Sequence, residues 1–148
     1  MIDLIKQDLF VLYNPEEKKG CFLSGFDENK KLIVSWGIVD TDRPLSESVV
    51  TIYDQKIQPV LDQIRYVCVD IVVEIIAFPS AEDIFQLDPK EYGFIIEDLE
   101  DDKTGVILPN LVGVTDTKQV LYDLKKKYGI HGKVAISGFK TERMIVAK

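Results

Sequence analysis

The stretch from Leu87 to Ile130, LDPKEYGFIIEDLEDDKTGVILPNLVGVTDTKQVLYDLKKKYGI, constrains the fold most, because it spells out a hairpin, a connecting loop and a capped helix in one run. Phe94-Ile95-Ile96 and Val106-Ile107-Leu108 are short, largely β-branched apolar runs, and the segment between them, Glu97 to Thr104, is polar and acidic. Two antiparallel strands joined by a solvated loop satisfy that pattern. Pro109 removes a backbone donor and ends the second strand. A helix then starts at Thr115 or Asp116, whose short side-chain oxygens cap free amides, and Gln119 three residues after Asp116 approximates a capping box. Val120, Leu121, Leu124 and Tyr128 share one helical face. Lys125, Lys126 and Lys127 put positive charge at the carbonyl end, and Gly129 supplies the left-handed residue that stops the helix.

Upstream, apolar runs separated by polar turns predict a meander: strands over Asp8 to Tyr13, Gly20 to Phe26 and Leu32 to Val39. A helix follows, capped by Thr41 or Asp42, with Pro44 in its first turn and Leu45, Val49, Ile52 and Lys56 on one face, until Pro59 interrupts it. Tyr66 to Phe78 is the longest strand expected. Its odd positions Val67, Val69, Ile71, Val73 and Ile75 form a core face, and Cys68, Asp70 and Glu74 lie on a mixed one. The last strand runs from about Lys133 to Ala147, where Val134 and Ile136 have one parity and Phe139 the other; a bulge at Gly138 reconciles them.

With 148 residues, 46% of them hydrophobic, the chain reads as a single domain or two closely packed lobes, able to bury roughly 70% of its unfolded surface. Its net charge is −7, and its basic residues are scattered apart from the Lys125 to Lys127 helix end. Phosphate-directed nucleic-acid binding needs a clustered basic surface, so no nucleic-acid partner is expected. No run approaches the roughly 20 apolar residues of a membrane span. A soluble, cytoplasmic protein with reduced cysteines is the resulting expectation.

Several of these runs together resemble the AMMECR domain family: Asp88-Pro89-Lys90-Glu91-Tyr92-Gly93, then Gly105-Val106-Ile107-Leu108-Pro109-Asn110-Leu111, Gly113-Val114 and the helix ending Lys127-Tyr128-Gly129-Ile130. Val69 to Ile76 followed by Phe78-Pro79 and Leu87-Asp88-Pro89 resembles the family's long strand and its descent into the hairpin. Gly138-Phe139-Lys140-Thr141-Glu142-Arg143-Met144 resembles an altered Arg-Phe-x-Val-x-Arg-His run, with Gly138 for the Arg and Met144 for the His. Near the N-terminus, Gly20 and Cys21 match a Leu-Arg-Gly-Cys-Ile-Gly signature in which Lys19 replaces the Arg and Leu23 the second Gly; Asn110 and Val112 replace acidic residues usual in the family. The resemblance covers most of the chain and is specific from about Ile71 onward. It implies an α+β fold, an antiparallel sheet flanked by helices with a smaller second lobe, and a cleft near the glycine-cysteine motif. By the same resemblance, partners would be Memo-like or radical S-adenosylmethionine proteins, the AmmeMemoRadiSam grouping, or a small molecule. Gly20, Tyr92, Asn110 and Arg143 are its candidate ligand-binding residues.

The reactive side chains narrow the chemistry further. A histidine-based triad would have to recruit His131, which lies just past a helix C-terminus, where a solvated side chain is the plainer reading. Cys21, Cys68 and His131 fall one short of a structural zinc site, and no metal or cofactor is expected. The acidic run Glu97, Asp98, Glu100, Asp101 and Asp102 lacks the ligand spacing of a calcium loop and reads as a solvated hairpin tip. Phosphate-cradling glycine motifs are absent. Cys21 is the one candidate nucleophile, with Lys19 on its side of the strand to lower the thiol pKa; plain packing among Phe22, Leu23 and Phe26 is the alternative. Cys68, beside Asp70, is structural. Asp70 and Glu74 could form a catalytic carboxylate pair, although cationic partners on a neighbouring strand are the commoner arrangement. Arg143 could take a carboxylate or phosphate ligand or pair with an acid. Two functions follow: an accessory or binding protein of a modification pathway, favoured by the altered signature, and a thiol-dependent enzyme using Cys21.

Overall fold

In the computed structural model, which describes residues 1–77, 81–111, 113 and 116–148, the chain runs α1 (Ile2–Leu12), β1 (Cys21–Phe26), β2 (Leu32–Ile38), α2 (Leu45–Ile52), β3 (Tyr66–Ala77), α3 (Ala81–Phe85), β4 (Gly93–Asp98), β5 (Thr104–Ile107), α4 (Thr117–Tyr128) and β6 (Val134–Ala147). The strands form a six-stranded antiparallel sheet in the order β2-β1-β3-β6-β4-β5, so the fold class is α+β, as expected. Two compact units divide the chain, Met1–Val73 with Glu142–Lys148, and Glu74–Thr141. Phe78, Pro79, Val112, Val114 and Thr115, on which the end of the long strand, part of the family resemblance and one alternative helix cap fall, lie outside the described residues.

The core of the first unit forms around β1, which pairs with β2 on one side and β3 on the other, so that Leu23 stands between Trp36 and Val69, and Cys21 between Ile38 and Ile71. Ile5 and Leu9 of α1, Leu45, Val49 and Ile52 of α2, and Tyr53, Ile57 and Val146 complete that core. Burial of each Leu or Ile there stabilises the unit by roughly 1.5–3 kcal/mol. Residues 8–13, expected as a strand, belong instead to α1. The helical stripe Ile2, Ile5, Leu9 begins before Asp8, whereas a strand would have turned Leu9 and Val11 to the same side; Leu9 is buried and Val11 is 81% exposed.

Neither Thr41 nor Asp42 caps α2. Its first amides are taken by main-chain carbonyls of the preceding turn, Leu45 N–H by Glu17 at 2.8 Å and Ser46 N–H by Pro15 at 3.0 Å, which leaves a side-chain cap without a task. Beyond Ile52 the helix widens into a π turn over Tyr53–Ile57 and tightens into a 3-10 turn over Gln58–Gln63. That change of pitch puts Tyr53 and Ile57 into the core in place of Lys56, whose ammonium rests 4.4 Å over the Trp36 ring. On β3, Val67, Val69 and Ile71 are buried as expected, but Val73 and Ile75 are exposed: pairing with β1 runs only from Tyr66 to Ile71. Among the described residues β6, at 14 residues against 12 for β3, is the longest strand.

In the second unit β4 pairs with β5 from Phe94↔Ile107 to Glu97↔Thr104, the expected hairpin. On its other side β4 pairs with β6 from Gly93↔Phe139 to Asp98↔Val134 without a shift, so this ladder has no bulge at Gly138. The odd parity of Phe139 is accommodated by Gly93 opposite it, where a Cβ would come within 2.4 Å of the buried ring. Val120, Leu121 and Leu124 of α4 pack on Phe94 and Ile96, joined by Ile84 and Ile130. Asp116 caps α4 by accepting from Lys118 N–H at 3.0 Å. The reciprocal half of the capping box is not made, because the Gln119 amide donates to Asp123 one turn on, at 2.9 Å. Gly129 ends α4 with φ 64°, and Tyr128 sits at the rim of the stripe, partly exposed.

Candidate functional site

The glycine-cysteine corner owes its composition to packing. A Cβ on Gly20 would lie 2.1 Å from the carbonyl oxygen of Val39 and 2.4 Å from that of Ile38, so only glycine allows the two backbone segments to approach. Its own carbonyl accepts from Val72 N–H at 2.9 Å. Cys21, the first residue of β1, is fully buried, and burial pushes its thiol up to about 12. The Lys19 ammonium lies 3.6 Å from a Glu17 carboxylate oxygen. A reactive thiol needs an exposed, electropositive setting. Here Cys21 is buried and the nearby ammonium, Lys19, pairs with Glu17.

The mixed face of β3 is organised by Arg143. Its Nε donates to Asp70 Oδ1 at 2.9 Å, and the Asp70 side chain is only 1% exposed. Asp70 thus takes a cationic partner from β6 instead of pairing with Glu74, which is exposed. Arg143, expected as a ligand-binding residue, is committed to this contact. The half-buried Cys68 thiol is raised chiefly by burial, with Asp70 adding to the rise and Arg143 opposing it. Next to Arg143, the Glu142 carboxylate accepts from the Tyr13 hydroxyl at 2.8 Å, which, after burial, helps push that phenol up to about 12.

Tyr92 and Asn110 both bond to the turn at 88–91 in the second unit. Asp88 organises the turn before β4: its carbonyl accepts from Tyr92 N–H at 3.0 Å and its side chain from Lys90 N–H at 2.9 Å. Asn110, left-handed at φ 57°, donates its N–H to Pro89 in that turn at 3.0 Å. Extending the β4–β6 register by one pair sets Lys140 opposite Tyr92, and the ammonium lies 4.8 Å from the ring centroid. Lys140 is held above the ordinary lysine range, first by its hydrogen bond to Tyr92 and also by the Glu74 and Glu91 carboxylates. Tyr92 itself is partly buried against the core of its unit. The result is a fixed aromatic ring with a cation on it beside the Asn110 loop. Lys140 was not legible as part of this group, because only the strand register reveals it.

The acidic hairpin tip is an internally bonded turn. Asp98 Oδ1 accepts from Glu100 N–H at 2.9 Å and Asp101 N–H at 3.2 Å. The Glu100 amide is the largest influence holding its carboxyl below the usual range. His131 is exposed. Among the described residues no three His, Cys, Asp or Glu side chains gather as metal ligands, and no helix is long and apolar enough to cross a membrane.

No protein-family model matches the sequence, and no curated protein is significantly similar to it. Among solved structures the chain is similar to the crystal structure of the uncharacterized protein PH0010 from Pyrococcus horikoshii, with a TM-score of 0.71 and 18% identity, over 90% of this chain and 80% of that one. The two share a fold.

Proposed function

We infer that the chain is an AMMECR-like accessory protein of a cytoplasmic modification pathway, acting by binding a partner through the Tyr92, Asn110 and Lys140 face rather than by catalysis at Cys21. The observation that supports this reading is a contrast in availability. Cys21 is sealed in the core with its thiol raised to about 12, and Arg143 is engaged by Asp70, whereas Tyr92 presents a half-buried, braced ring. An aromatic side chain held in place before binding loses little freedom on association, which is why such residues anchor interfaces. Lys140, Glu74 and Glu91 around it supply charges of both signs, a pattern suited to a polar protein surface.

Partners of the Memo-like or radical S-adenosylmethionine type are the first to test, because the resemblance from Ile71 onward points to them. Mixing the purified chain with such proteins from its own source, and reading complex formation by calorimetry, gives a direct answer. Binding that weakens about tenfold or more in Tyr92→Ala, with the fold unchanged, is the expected outcome. Equal binding by wild type and by Tyr92→Ala and Lys140→Ala would remove this face from the reading.

A further inference from the structure

We propose that the groove between β2 and the α2 helix with its π turn binds an extended peptide segment of a partner protein, paired antiparallel to Val34–Ile38 and carrying a lysine or arginine in its N-terminal half. Open strand edges invite pairing with other chains, and folded proteins blunt them with short strands, charges or proline. The edge strand β5 is blunted: it is four residues long, is preceded by Lys103 and is followed within two residues by Pro109. At the other edge, β2 is seven residues long and contains no charged residue and no proline. Its register against β1 slips between the Gly25↔Val34 and Phe26↔Leu32 pairs, which turns Leu32 to the other face and leaves Val34 to Ile38 as the regular edge. Among the described residues no strand pairs with the outer side of that segment.

A helix flanks this edge. Ile38 at the end of β2, Thr51 of α2 and Gln55 of the π turn line one hollow of about 700 Å³, together with Asp40, Asp42 and Arg43 from the turn after the strand. That volume lies within the roughly 300–1,000 Å³ of sites that take a drug-sized ligand. Trp36 has the same parity as Ile38 and so lies on the same face; the two are 51% and 38% exposed. A peptide added to a sheet edge gains affinity from main-chain hydrogen bonds and specificity from pockets for alternate side chains. Here the free side of Val34–Ile38 offers the first, and the hollow beside exposed Trp36 and Ile38 offers the second.

Charge selects the kind of segment. Of the cations near the hollow, Arg43 is drawn toward Glu47 at 3.7 Å, and the Lys56 ammonium rests over the Trp36 ring. Asp40 and Asp42 are exposed and make no ion pair among the described residues. The turn that carries them is held by Arg43 N–H donating to Thr41 Oγ1 at 3.1 Å. Both carboxylates follow the C-terminal end of β2, and an antiparallel partner sets its N-terminal half beside that end. A lysine or arginine there meets two uncompensated carboxylates, and the apolar residues after it reach Ile38 and Trp36. An acidic segment in the same register would be repelled.

Trp36 is the only tryptophan in the chain, so its fluorescence reports on this groove alone. Random heptapeptides displayed on phage are to be selected on the full chain, and the enriched sequences synthesised and titrated by calorimetry and tryptophan emission, with sedimentation velocity following the oligomeric state. The expected sequences carry lysine or arginine in the N-terminal half and apolar residues after it, and their binding shifts Trp36 emission to the blue. Asp40→Asn combined with Asp42→Asn should weaken binding by about tenfold or more and flatten its salt dependence. Methylating alternate peptide amides should weaken binding to the same degree for the set that faces β2 and spare the other set. Unchanged circular dichroism in these exposed-site variants separates loss of binding from loss of fold. A selection that enriches no sequence, or enriches sequences without basic residues, would overturn the proposal. So would peptides that leave Trp36 emission fixed or tolerate both methylation patterns alike, and so would a chain that covers this edge by dimerising. Because the partner face at Tyr92 belongs to the second unit, either proposal can fail alone.

Discussion

Removing one side of the Arg143–Asp70 contact leaves a carboxylate that is 1% exposed without that guanidinium. Stranding a buried charge in this way typically costs about 3–5 kcal/mol. Arg143→Ala should therefore lower stability to denaturant by that order, and an Asp70→Asn/Arg143→Met double variant should recover much of the loss; a neutral Arg143→Ala would return Arg143 to the ligand-binding candidates. Cys21 makes a complementary prediction in alkaline solution. Its thiol is raised to about 12 by burial, so the unfolded chain ionises near a pH of about 8.5 while the folded chain does not. The associated stability is intact below that pH and is lost progectively as pH rises toward 12, by about 1.4 kcal/mol per pH unit at most. Tyr13 and Tyr53 shift in the same direction. Unfolding midpoints of wild type and Cys21→Ala across pH 8–11 isolate the cysteine: the variant should show the shallower decline.

Elements divide by where their signals lie. The 94–107 hairpin and α4 were legible because strand pattern, cap, lysine-rich end and stop glycine all agree locally. In the N-terminal part the determining signals are tertiary. A stripe begun at Ile2 outweighs the apparent strand at Asp8 to Tyr13, and the amides of Leu45 and Ser46 find carbonyls at positions 17 and 15 that no capping rule anticipates. Leu9→Ala should cost about 2–5 kcal/mol by leaving a core cavity, whereas Val11→Ser, on the exposed side of α1, should stay within about 0.5 kcal/mol. Similar losses at both positions would favour the strand. At the hairpin tip, Asp98→Ala should speed amide exchange at Glu100 and Asp101, the two donors its carboxylate holds; unchanged protection there would show that the turn stands without them.

At the level of the whole molecule, the sequence names the candidate residues but not their neighbours. Tyr92 and Asn110 both bond to the turn at 88–91, whereas the close backbone approach at Gly20 and the Arg143–Asp70 pair depend on partners distant in sequence. Lys140 joins Tyr92 only through strand register. The fold itself, six antiparallel strands with helices, follows the expected class and is shared with the archaeal structure. Its central chemical consequence is that the glycine-cysteine corner is interior. Alkylation of the native chain by iodoacetamide across a pH series, read by mass spectrometry at Cys21 and Cys68 separately, tests this most directly. The account predicts modification of half-buried Cys68 first, with Cys21 protected until the chain unfolds. Rapid labelling of Cys21 in the folded protein, with a midpoint below the free-thiol value of about 8.5, would contradict it.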